Sequence, residues 1–534
     1  MRIIIVDALG SGSEGRHATI DVIGCGPRTV AGVLEKLGFE FDLKPYYSVL
    51  RDPSLLNGFD ILMVSAMSVD MPTVRRVRRL WSRVNDGLTV IGGPIASDPY
   101  EALIKAEFDV AFIGEAEKSL SEFLTKLRFS GDLDFLKDIS GLAYRIGSEM
   151  VVNPLRPFMS RVELNSFKPS VKVIRNYWGY YACRIYVEAV RGCSNFRRTK
   201  IQLPDGRKCN DCGKCYTGPL SDRYYCPLNI PPGCGYCSVP SLFGPSRSRS
   251  IESIVDEIKG LIEVGCRRFI LGASDFLDYG RDLLVEPEPL TDPSNPPPNI
   301  GAIEELLDRV KSLEREFGVR IFVSIENVKP SLVEESVAKV LGRYLHGTPV
   351  SIGIETGSEF HSIALGRPST PHQAVKAIKI LRRYGLIPYA YFIHGLPGQN
   401  VNVAIETSRV MDEAVRAGAE KITLYRFTPL PMSAFADFPK APPSFSNEAS
   451  RIIASKANEL NSKLKGKWVG LILDAFIVEA FPGVRGVVAY PFMHGPVIFI
   501  ENSSFASKFI GKVVKVKVVK VVSDRALSGI VLEA

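Results

Sequence analysis

The sequence predicts an α/β protein in three parts: an N-terminal doubly wound parallel sheet, a central partial or full (β/α) barrel, and a small C-terminal β-barrel. Continuous apolar strands alternate with amphipathic helices up to about residue 440, a pattern typical of parallel sheets covered on both faces. From Gly466 the pattern changes to short, alternating β segments separated by glycine turns, which is typical of a small closed barrel.

The composition is that of an ordinary globular protein. The chain has 534 residues, of which 46% are hydrophobic and 23% charged, and its net charge is +8. Its longest apolar runs, residues 61–67 and 469–473, are far shorter than a membrane span. The N-terminal apolar run ends at once in Asp7, which predicts a buried strand rather than a signal peptide. We therefore expect a cytoplasmic enzyme with no membrane partner, and the mild basic excess permits an anionic partner without requiring one.

Residues 1–150 are predicted to form the first domain, with strands at 2–6, 59–65, 88–91 and 110–113 and helices at 27–37, 72–84 and 118–127. The strands run into small residues, among them Ser65, Gly92 and Gly93. Ligands of such sheets lie at the carboxyl ends of the strands, and glycine there permits close backbone approach. A cofactor site and a set of tight turns both account for this pattern.

Residues 151–185 are predicted to be a connector and residues 186–440 a second α/β domain. Its strands are predicted at 185–190, 269–271, 320–325, 350–354, 389–393 and 421–425, with helices at 251–264, 302–317, 331–341 and 371–384. About six such units predict a barrel with its site at the carboxyl ends of the strands. A helical connector, 441–465, precedes the C-terminal barrel, 466–534.

The positions of the cysteines are the strongest indication of the protein's chemistry. Seven of the ten lie within residues 193–237, and in a chain without secretory features such clustering favours metal binding over disulfides. Cys193 ends an Arg-Gly-Cys phrase directly after a predicted strand, and Cys234 and Cys237 form a Cys-x2-Cys pair. Thiolates are soft ligands suited to iron–sulfur clusters and zinc.

The phrases around these cysteines resemble the cluster-binding loop of radical S-adenosylmethionine (SAM) enzymes. Their order and spacing are similar to the subgroup that carries an N-terminal cobalamin-binding-like domain, over segments 187–193, 234–240, 244–250, 271–276, 351–359, 366–370 and 391–399. The resemblance covers about residues 1–440. It implies that Cys193, Cys234 and Cys237 bind a catalytic 4Fe–4S cluster whose open iron holds SAM. It also implies an electron donor such as ferredoxin or flavodoxin.

One departure from the family leaves the first cluster ligand open. The family has three residues between its first and second cysteine, whereas forty residues, 194–233, separate Cys193 from Cys234. Cys226, which seven residues separate from Cys234, is the alternative first ligand. Cys193 is favoured because it stands at the strand end where the family places this residue.

The resemblance also implies the residues that hold SAM. Gly272, Ala273, Ser274 and Asp275 are expected near its amino group. Ser324 and Glu326 end a strand where the ribose is often held. Glu355, Gly395 and Pro397 are expected on the adenosine side, although a buried, paired carboxylate that orients its loop also accounts for Glu355.

The long insertion contains four further cysteines, Cys209, Cys212, Cys215 and Cys226. Four thiolates in one loop are enough for a closed tetrahedral zinc site or a second iron–sulfur cluster. The spacing of the first three and the Cys-Pro ending are similar to ferredoxin ligation. The sequence leaves both metals open, with a second cluster slightly favoured.

Cobalamin is a further cofactor that the resemblance leaves open. The Asp-x-His-x-x-Gly motif that supplies a cobalt ligand is absent, and His17 stands outside any such pattern. Radical SAM relatives often bind cobalamin without a protein histidine. Segments 65–69 and 92–95 resemble those that cradle the corrin and its nucleotide tail, but a degenerate domain without the cofactor fits them too.

The C-terminal segment resembles a TRAM domain, a small RNA-binding barrel of tRNA methylthiotransferases and methyltransferases. It contains eight basic and five acidic residues, and lysine alternates with valine over 512–520. Trp468, Tyr490, Phe492 and these lysines are candidates for RNA contact, while an edge strand kept soluble by lysine is the alternative.

Two function classes follow from these resemblances. The first is a radical SAM enzyme that adds a methyl or methylthio group to RNA, with tRNA as the expected partner. The second is a cobalamin-dependent radical SAM enzyme acting on a small molecule, lipid or peptide.

Overall fold

The computed structural model describes residues 1–9, 21–130, 132–480, 486–523 and 526–532. The chain divides into two compact units, one of Met1–Val187 with Glu252–Arg267 and one of Glu188–Ile251 with Arg268–Ala534. Among the described residues, no helix is both long and apolar enough to cross a membrane.

Up to residue 188, the described part of the chain forms nine strands and five α-helices. The strands are β1 (Arg2–Asp7), β2 (Val22–Ile23), β3 (Glu40–Pro45), β4 (Ile61–Ser65), β5 (Leu88–Gly92), β6 (Val110–Phe112), β7 (Leu142–Ile146), β8 (Glu149–Val152) and β9 (Arg184–Glu188). The helices are α1 (Gly26–Leu37), α2 (Tyr46–Arg51), α3 (Met71–Val84), α4 (Glu117–Phe129) and α5 (Arg161–Asn165).

A seven-stranded sheet forms the centre of the first unit, in the order β3-β1-β4-β5-β6-β7-β8. The first five strands of that order run parallel, and β7 and β8 continue the sheet antiparallel. Ile3, Ile4 and Ile5 of β1 are fully buried, as expected for a parallel strand covered on both faces. The sequence pattern missed β3, because this edge strand alternates charged and apolar residues and is only partly buried.

The elements from residue 190 to 466 alternate strand and helix. They are β10 (Val190–Arg191), α6 (Val239–Phe243), β11 (Arg247–Ser248), α7 (Ile251–Val264), β12 (Arg268–Gly272), α8 (Ile300–Phe317), β13 (Phe322–Ile325), β14 (Asn327–Val328), α9 (Glu335–Leu345), β15 (Pro349–Glu355), α10 (Glu359–Ala364), α11 (Pro371–Arg383), β16 (Ile387–His394), α12 (Val401–Ala417), β17 (Lys421–Arg426) and α13 (Glu448–Gly466).

Parallel pairing places the carboxyl ends of the second unit's strands together. Strands β12 and β13 pair in parallel, and β14, β15, β16 and β17 form a second parallel run. Helices α8, α9, α11 and α12 connect successive strands, as βαβ units require. The loops that carry the predicted SAM-binding residues follow β12, β13, β15 and β16.

The C-terminal segment closes into a five-stranded barrel. Its elements are β18 (Ile472–Glu479), β19 (Val487–Pro491), β20 (Val497–Ile500), α14 (Ser503–Ala506), β21 (Val513–Val521) and β22 (Ala526–Val531), in the barrel order β18-β19-β20-β22-β21. Ala475, Ile477, Ala489, Ile498 and Val516 are fully buried inside it. The predicted fold class, parallel α/β sheets followed by a small closed β-barrel, is confirmed.

Candidate cluster and cofactor site

Cys193 is fixed by the backbone that surrounds it. It follows β10, which pairs antiparallel with β11, and its N–H donates to the carbonyl of Gly244 at 3.1 Å. Gly192 has a φ of +85°, and a Cβ there would lie 2.1 Å from the Pro245 carbonyl oxygen. Only glycine fits this position, so the Arg-Gly-Cys phrase has a structural reason.

The loop with Cys234 and Cys237 is held just as closely. The Cys237 N–H donates to the Cys234 carbonyl at 2.8 Å, which closes a turn. Gly235 donates to Leu365 and accepts from the Phe435 N–H, both at 2.8 Å. A Cβ on Gly235 would lie 2.3 Å from the Phe435 ring, so this position also requires glycine.

The structure groups Cys193 with Cys234 and Cys237 although forty residues separate the first two. The Asn195 backbone N–H points at Cys193 Sγ at 3.4 Å, and Asn195 Nδ2 points at Cys234 Sγ at 3.3 Å. Burial raises the pKa of the Cys237 thiol, and the nearby Cys234 and Cys193 raise it further. Burial likewise raises the pKa of Cys193 to about 11. Cys226, the alternative first ligand, instead lies near Cys215 of the insertion.

Three soft thiols in one buried place fit a four-iron cluster with one iron left open. The sulfurs of such a cluster bind different irons, so they surround the cluster rather than meet at one point. Among the described residues, no three His, Cys, Asp or Glu side chains converge closely enough to hold a single metal ion. The assignment of Cys193, Cys234 and Cys237 as cluster ligands stays a prediction.

A charge-balanced quartet is buried beside Cys193. Lys329 Nζ lies 2.8 Å from an Asp278 carboxylate oxygen and 3.0 Å from Asp275 Oδ2. Arg281 forms an ion pair with Asp278, and Ser194 donates its hydroxyl to Asp278 at 3.0 Å. Both carboxylates and Arg281 are fully buried. Two cations and two anions therefore neutralise one another beneath the Cys193 loop.

This quartet changes the role expected for Asp275. One carboxylate oxygen of Asp275 accepts the backbone N–H groups of Lys329 at 2.9 Å and Leu277 at 3.1 Å. The other faces Lys329 Nζ, at ion-pair distance but without hydrogen-bond geometry. Burial raises the pKa of Asp275 despite Lys329. Asp275 thus fixes the loop after β12, and the contact of Gly272, Ala273, Ser274 and Asp275 with the SAM amino group stays a prediction.

Glu326 and Ser324 lie beside the same loop. The Ala273 N–H donates to a Glu326 carboxylate oxygen at 3.2 Å. Ser324 is buried within β13. The predicted ribose-side residues are therefore next to the predicted amino-group loop, as the resemblance implies.

Arg367 joins the cluster loop to Glu355. Its guanidinium hydrogen bonds to the Tyr236 hydroxyl, lies 3.5 Å from a Glu355 carboxylate oxygen, and donates to the Gly353 carbonyl at 2.6 Å. Glu355 has a φ of +66°, a left-handed conformation that is costly for a residue with a side chain. Burial raises the pKa of Glu355, and Arg367 opposes that rise. The side chain is mostly buried and paired, which fits the alternative that the sequence left open, while its contact with SAM stays a prediction.

Contacts within the loop after β16 and with neighbouring residues fix the conformation of that loop. Gly395 has a φ of +76°, and a Cβ there would lie 2.3 Å from Ala441 Cβ. Its N–H donates to Gln399 Oε1 at 2.6 Å. The Pro397 carbonyl lies 2.8 Å from His361 Nε2.

Three residues of this site escaped the sequence analysis as individual contributors: Asn195, Lys329 and Arg367. Lys329 follows the strand-end pair Ser324 and Glu326, and its charge in an apolar stretch was the available signal. Arg367 stands in the segment 366–370 that carries part of the resemblance. Asn195 gave no signal, because its contacts to both sulfurs depend on the tertiary structure.

In the first unit, Ser65 and Gly92 lie at the carboxyl ends of adjacent parallel strands. A Cβ on Gly92 would meet no atom within 4 Å, so the backbone there faces open space. Gly93 has a φ of +88°, and a Cβ there would lie 2.6 Å from the Ala66 carbonyl oxygen. The turn itself therefore explains Gly93, whereas Gly92 leaves room for a ligand. His17 lies outside the described residues.

The barrel corrects two of the aromatic RNA candidates. Tyr490 and Phe492 are buried, at 4% and 3% exposure, and Phe492 stacks on Phe476. Trp468 is half-buried against the barrel core. The expectation that Tyr490 and Phe492 contact RNA is wrong, because both rings are almost wholly buried, and Arg320 lies over the Phe492 ring at 4.5 Å.

The chain matches the family model of the radical SAM superfamily over residues 224–410. It is 42% identical over 532 residues to an uncharacterised protein of Methanopyrus kandleri, covering 99% of this chain and 95% of that one. It is 38% identical to an uncharacterised protein of Methanocaldococcus jannaschii, covering 100% and 99%. The ribosomal protein uS12 methylthiotransferase RimO of Pseudothermotoga lettingae is 24% identical over 300 residues, covering 55% of this chain and 60% of RimO.

Two solved radical SAM structures share the fold. The methyltransferase TsrM from Kitasatospora setae superimposes with a TM-score of 0.56 at 16% identity, covering 81% of this chain and 75% of TsrM. The cobalamin-dependent enzyme OxsB superimposes with a TM-score of 0.53 at 12% identity, covering 77% of this chain and 51% of OxsB.

Proposed function

This chain belongs to the radical SAM superfamily and, within it, to one family with the M. kandleri and M. jannaschii proteins, and from that membership we propose that it cleaves SAM reductively to methylate or methylthiolate RNA, with tRNA as the substrate class. The observation that carries the proposal is the grouping of Cys193, Cys234 and Cys237 at the loops where the resemblance places the cluster ligands.

The chain's own groups prepare this site. When bound, a four-iron cluster with one open iron supplies the electron that cleaves SAM. Asn195 directs N–H groups at two of the three sulfurs, and hydrogen bonds to sulfur tune a cluster's potential. The buried Nε of Arg367 has no hydrogen-bond partner among the described residues, which leaves a donor for an anionic group of a ligand.

The transferred group is proposed from the relatives. RimO is a methylthiotransferase and TsrM a methyltransferase. A methyl or methylthio group is therefore the transfer that best fits this chain's family connections, and the reacting atom of the substrate is left to experiment.

The barrel supports RNA as the substrate class. Strand β21 turns Lys515, Lys517 and Lys520 outward while Val514 and Val516 point into the core. Lys515 pairs with Asp474, and Lys520 lies 3.4 Å from Glu501. Among the described residues, Lys517 and Lys512, which directly precedes β21, make no ion pair. Exposed lysines that form no ion pair are suited to nucleic-acid phosphates.

The test uses the full chain, reconstituted anaerobically with iron and sulfide and supplied with SAM, a reductant and bulk tRNA. We expect 5′-deoxyadenosine and a tRNA nucleoside heavier by one methyl or methylthio group. The variant K512E/K517E should bind tRNA more weakly, with a salt dependence shallower by roughly 1 to 2 on a log–log plot. The control K376E/K379E reverses two exposed lysines of α11 and should bind like the unchanged protein.

The two halves of the proposal fail separately. Absence of 5′-deoxyadenosine from the reconstituted protein would overturn radical SAM cleavage. Its formation with no altered nucleoside, together with equal effects of the two lysine variants, would overturn RNA as the substrate.

A second candidate is a cobalamin-dependent enzyme acting on a small molecule, lipid or peptide. The fold shared with TsrM and OxsB and the open space at Gly92 favour it. The protein mixed with hydroxocobalamin and passed over a desalting column should then retain the corrin absorption. G92L should lose that absorption without a change in melting temperature, since its side chain enters free space. Loss of the corrin bands from the unchanged protein would refute this candidate.

A further inference from the structure

A second group of thiols lies in the insertion between β10 and α6. Cys209, Cys215 and Cys226 are partly buried, and Cys212 is exposed. Cys209, Cys212 and Cys226 all lie within electrostatic range of Cys215. The four thiols that the sequence places in one loop are therefore neighbours in the fold.

The backbone around these thiols is tightly turned. Asp211 has a φ of +56° and Gly213 a φ of +78°. The Asp211 N–H points at Cys209 Sγ at 3.4 Å, and the Tyr216 N–H donates to the Gly213 carbonyl at 2.9 Å. N–H groups that point at sulfur are the usual outer contacts of metal-bound thiolates.

A buried arginine stands beside this group. Arg198 is 2% exposed. Its guanidinium donates to the carbonyls of Ile230 at 2.7 Å and of Arg223 and Tyr224 at 3.1 Å, and to that of Phe196. Among the described residues, no carboxylate forms an ion pair with it.

The charge of Arg198 points to an anionic centre. A buried cation is costly unless an opposite charge compensates it. The ionisable groups near Arg198 that become negative when they bind a metal are Cys215, Cys226 and Cys209. Four thiolates around one metal centre carry a net negative charge, which a single guanidinium partly balances, whereas four neutral thiols would leave Arg198 uncompensated.

Two of the four insertion cysteines pack against the apolar core near the predicted catalytic loops. Cys209 and Cys226 contact the apolar cluster that contains Leu365, Leu396 and Phe435. Phe435 also fixes Gly235 between Cys234 and Cys237. The insertion therefore shares its support with the loop that carries two predicted cluster ligands.

We propose that Cys209, Cys212, Cys215 and Cys226 hold a second iron–sulfur cluster, separate from the site of Cys193, Cys234 and Cys237. Arg198 compensates its charge from the buried side. The centre ties the insertion to the core beneath the catalytic loop.

The test is metal content, which is independent of the substrate and of SAM cleavage. The full chain is purified anaerobically, and iron and zinc are measured in the unchanged protein, in C212S, in a variant with all four cysteines replaced by serine, and in C266A. Cys212 is exposed, so C212S is expected to fold normally. Cys266 lies in the first unit and serves as the control for loss of a thiol elsewhere.

We expect metal loss in both insertion variants and none in C266A. The second cluster is recognised by loss of about half of the bound iron, whereas loss of about one zinc per chain with the iron unchanged would contradict a cluster and assign the thiols to zinc. For C212S, the retained metal should also be stripped faster by a chelator. Unchanged iron, zinc and chelator resistance in C212S would overturn the proposal even if the four-serine variant fails to fold.

Discussion

The buried quartet beside Cys193 gives a sharp prediction about charge balance. Lys329 and Arg281 neutralise Asp275 and Asp278, and all but Lys329 are wholly inaccessible to solvent. In K329M, Asp278 keeps Arg281, but Asp275 loses the one cation that the described part of the chain places within ion-pair distance. Removing one partner of a buried ion pair costs about 3–5 kcal/mol.

The magnitude translates into a measurable melting shift. One kcal/mol moves the midpoint of a domain of 150–250 residues by roughly 2–4 °C, so K329M should melt roughly 6–20 °C lower. The double variant K329M/D275N removes one charge of each sign and restores neutrality. It should recover part of the loss, with a coupling of about 0.5–3 kcal/mol between the two positions.

Differential scanning fluorimetry of the metal-free chain at neutral pH is a sufficient assay, with D275N as the fourth corner of the cycle. D275N should itself be destabilising, since it leaves an excess of positive charge. If the losses of K329M and D275N simply add in the double variant, the quartet does not act as a balanced unit and the reasoning is wrong.

Three further predictions follow from single contacts. Burial raises the pKa of Asp7 from its usual 3.8 to about 6; since the folded state then holds the proton more tightly than the unfolded chain, stability should fall as pH rises from about 4 to 6, by roughly 3 kcal/mol in all. D7N should flatten that part of the pH profile in thermal melts, and an unchanged profile would contradict the shift. G235A should displace the cluster loop, because its Cβ would lie 2.3 Å from the Phe435 ring; iron binding should fall in G235A and partly return in G235A/F435L, and full iron in G235A would show that the ring is not a constraint. E257Q should cost about 3–5 kcal/mol, because Glu257 forms a 2.7 Å ion pair with the fully buried Arg28; a melting point equal to that of the unchanged protein would refute this.

The sequence could predict most of the fold because its pattern is local. The apolar runs 2–6, 59–65, 88–91 and 110–113 correspond to β1, β4, β5 and β6. A strand buried on both faces has a continuous apolar signature. The edge strand β3 was missed because partial exposure removes that signature.

Among the site residues, too, those with a local sequence signal were predicted and those that depend on tertiary packing were not. Gly192, Gly235 and Gly395 lie in the segments that carry the family resemblance, and the structure shows that a close approach requires glycine at each of them. The aromatic residues Tyr490 and Phe492 were misjudged, because a period-2 pattern does not say whether the outer face of a barrel strand is covered by another part of the chain.

By itself, the sequence determined the chemistry available to this protein: soft thiols concentrated between residues 193 and 237, on a parallel α/β frame. Tertiary structure alone decided how those thiols are divided. Pairing of β10 with β11 and the hydrogen bond from Cys193 to Gly244 bring Cys193 close to Cys234, although forty residues separate them. Cys226 instead lies near Arg198, together with Cys209 and Cys215 of the insertion. The physical reason is that spacing along the chain limits only nearby partners, whereas the position of a distant thiol is set by strand pairing and by the compensation of buried charge.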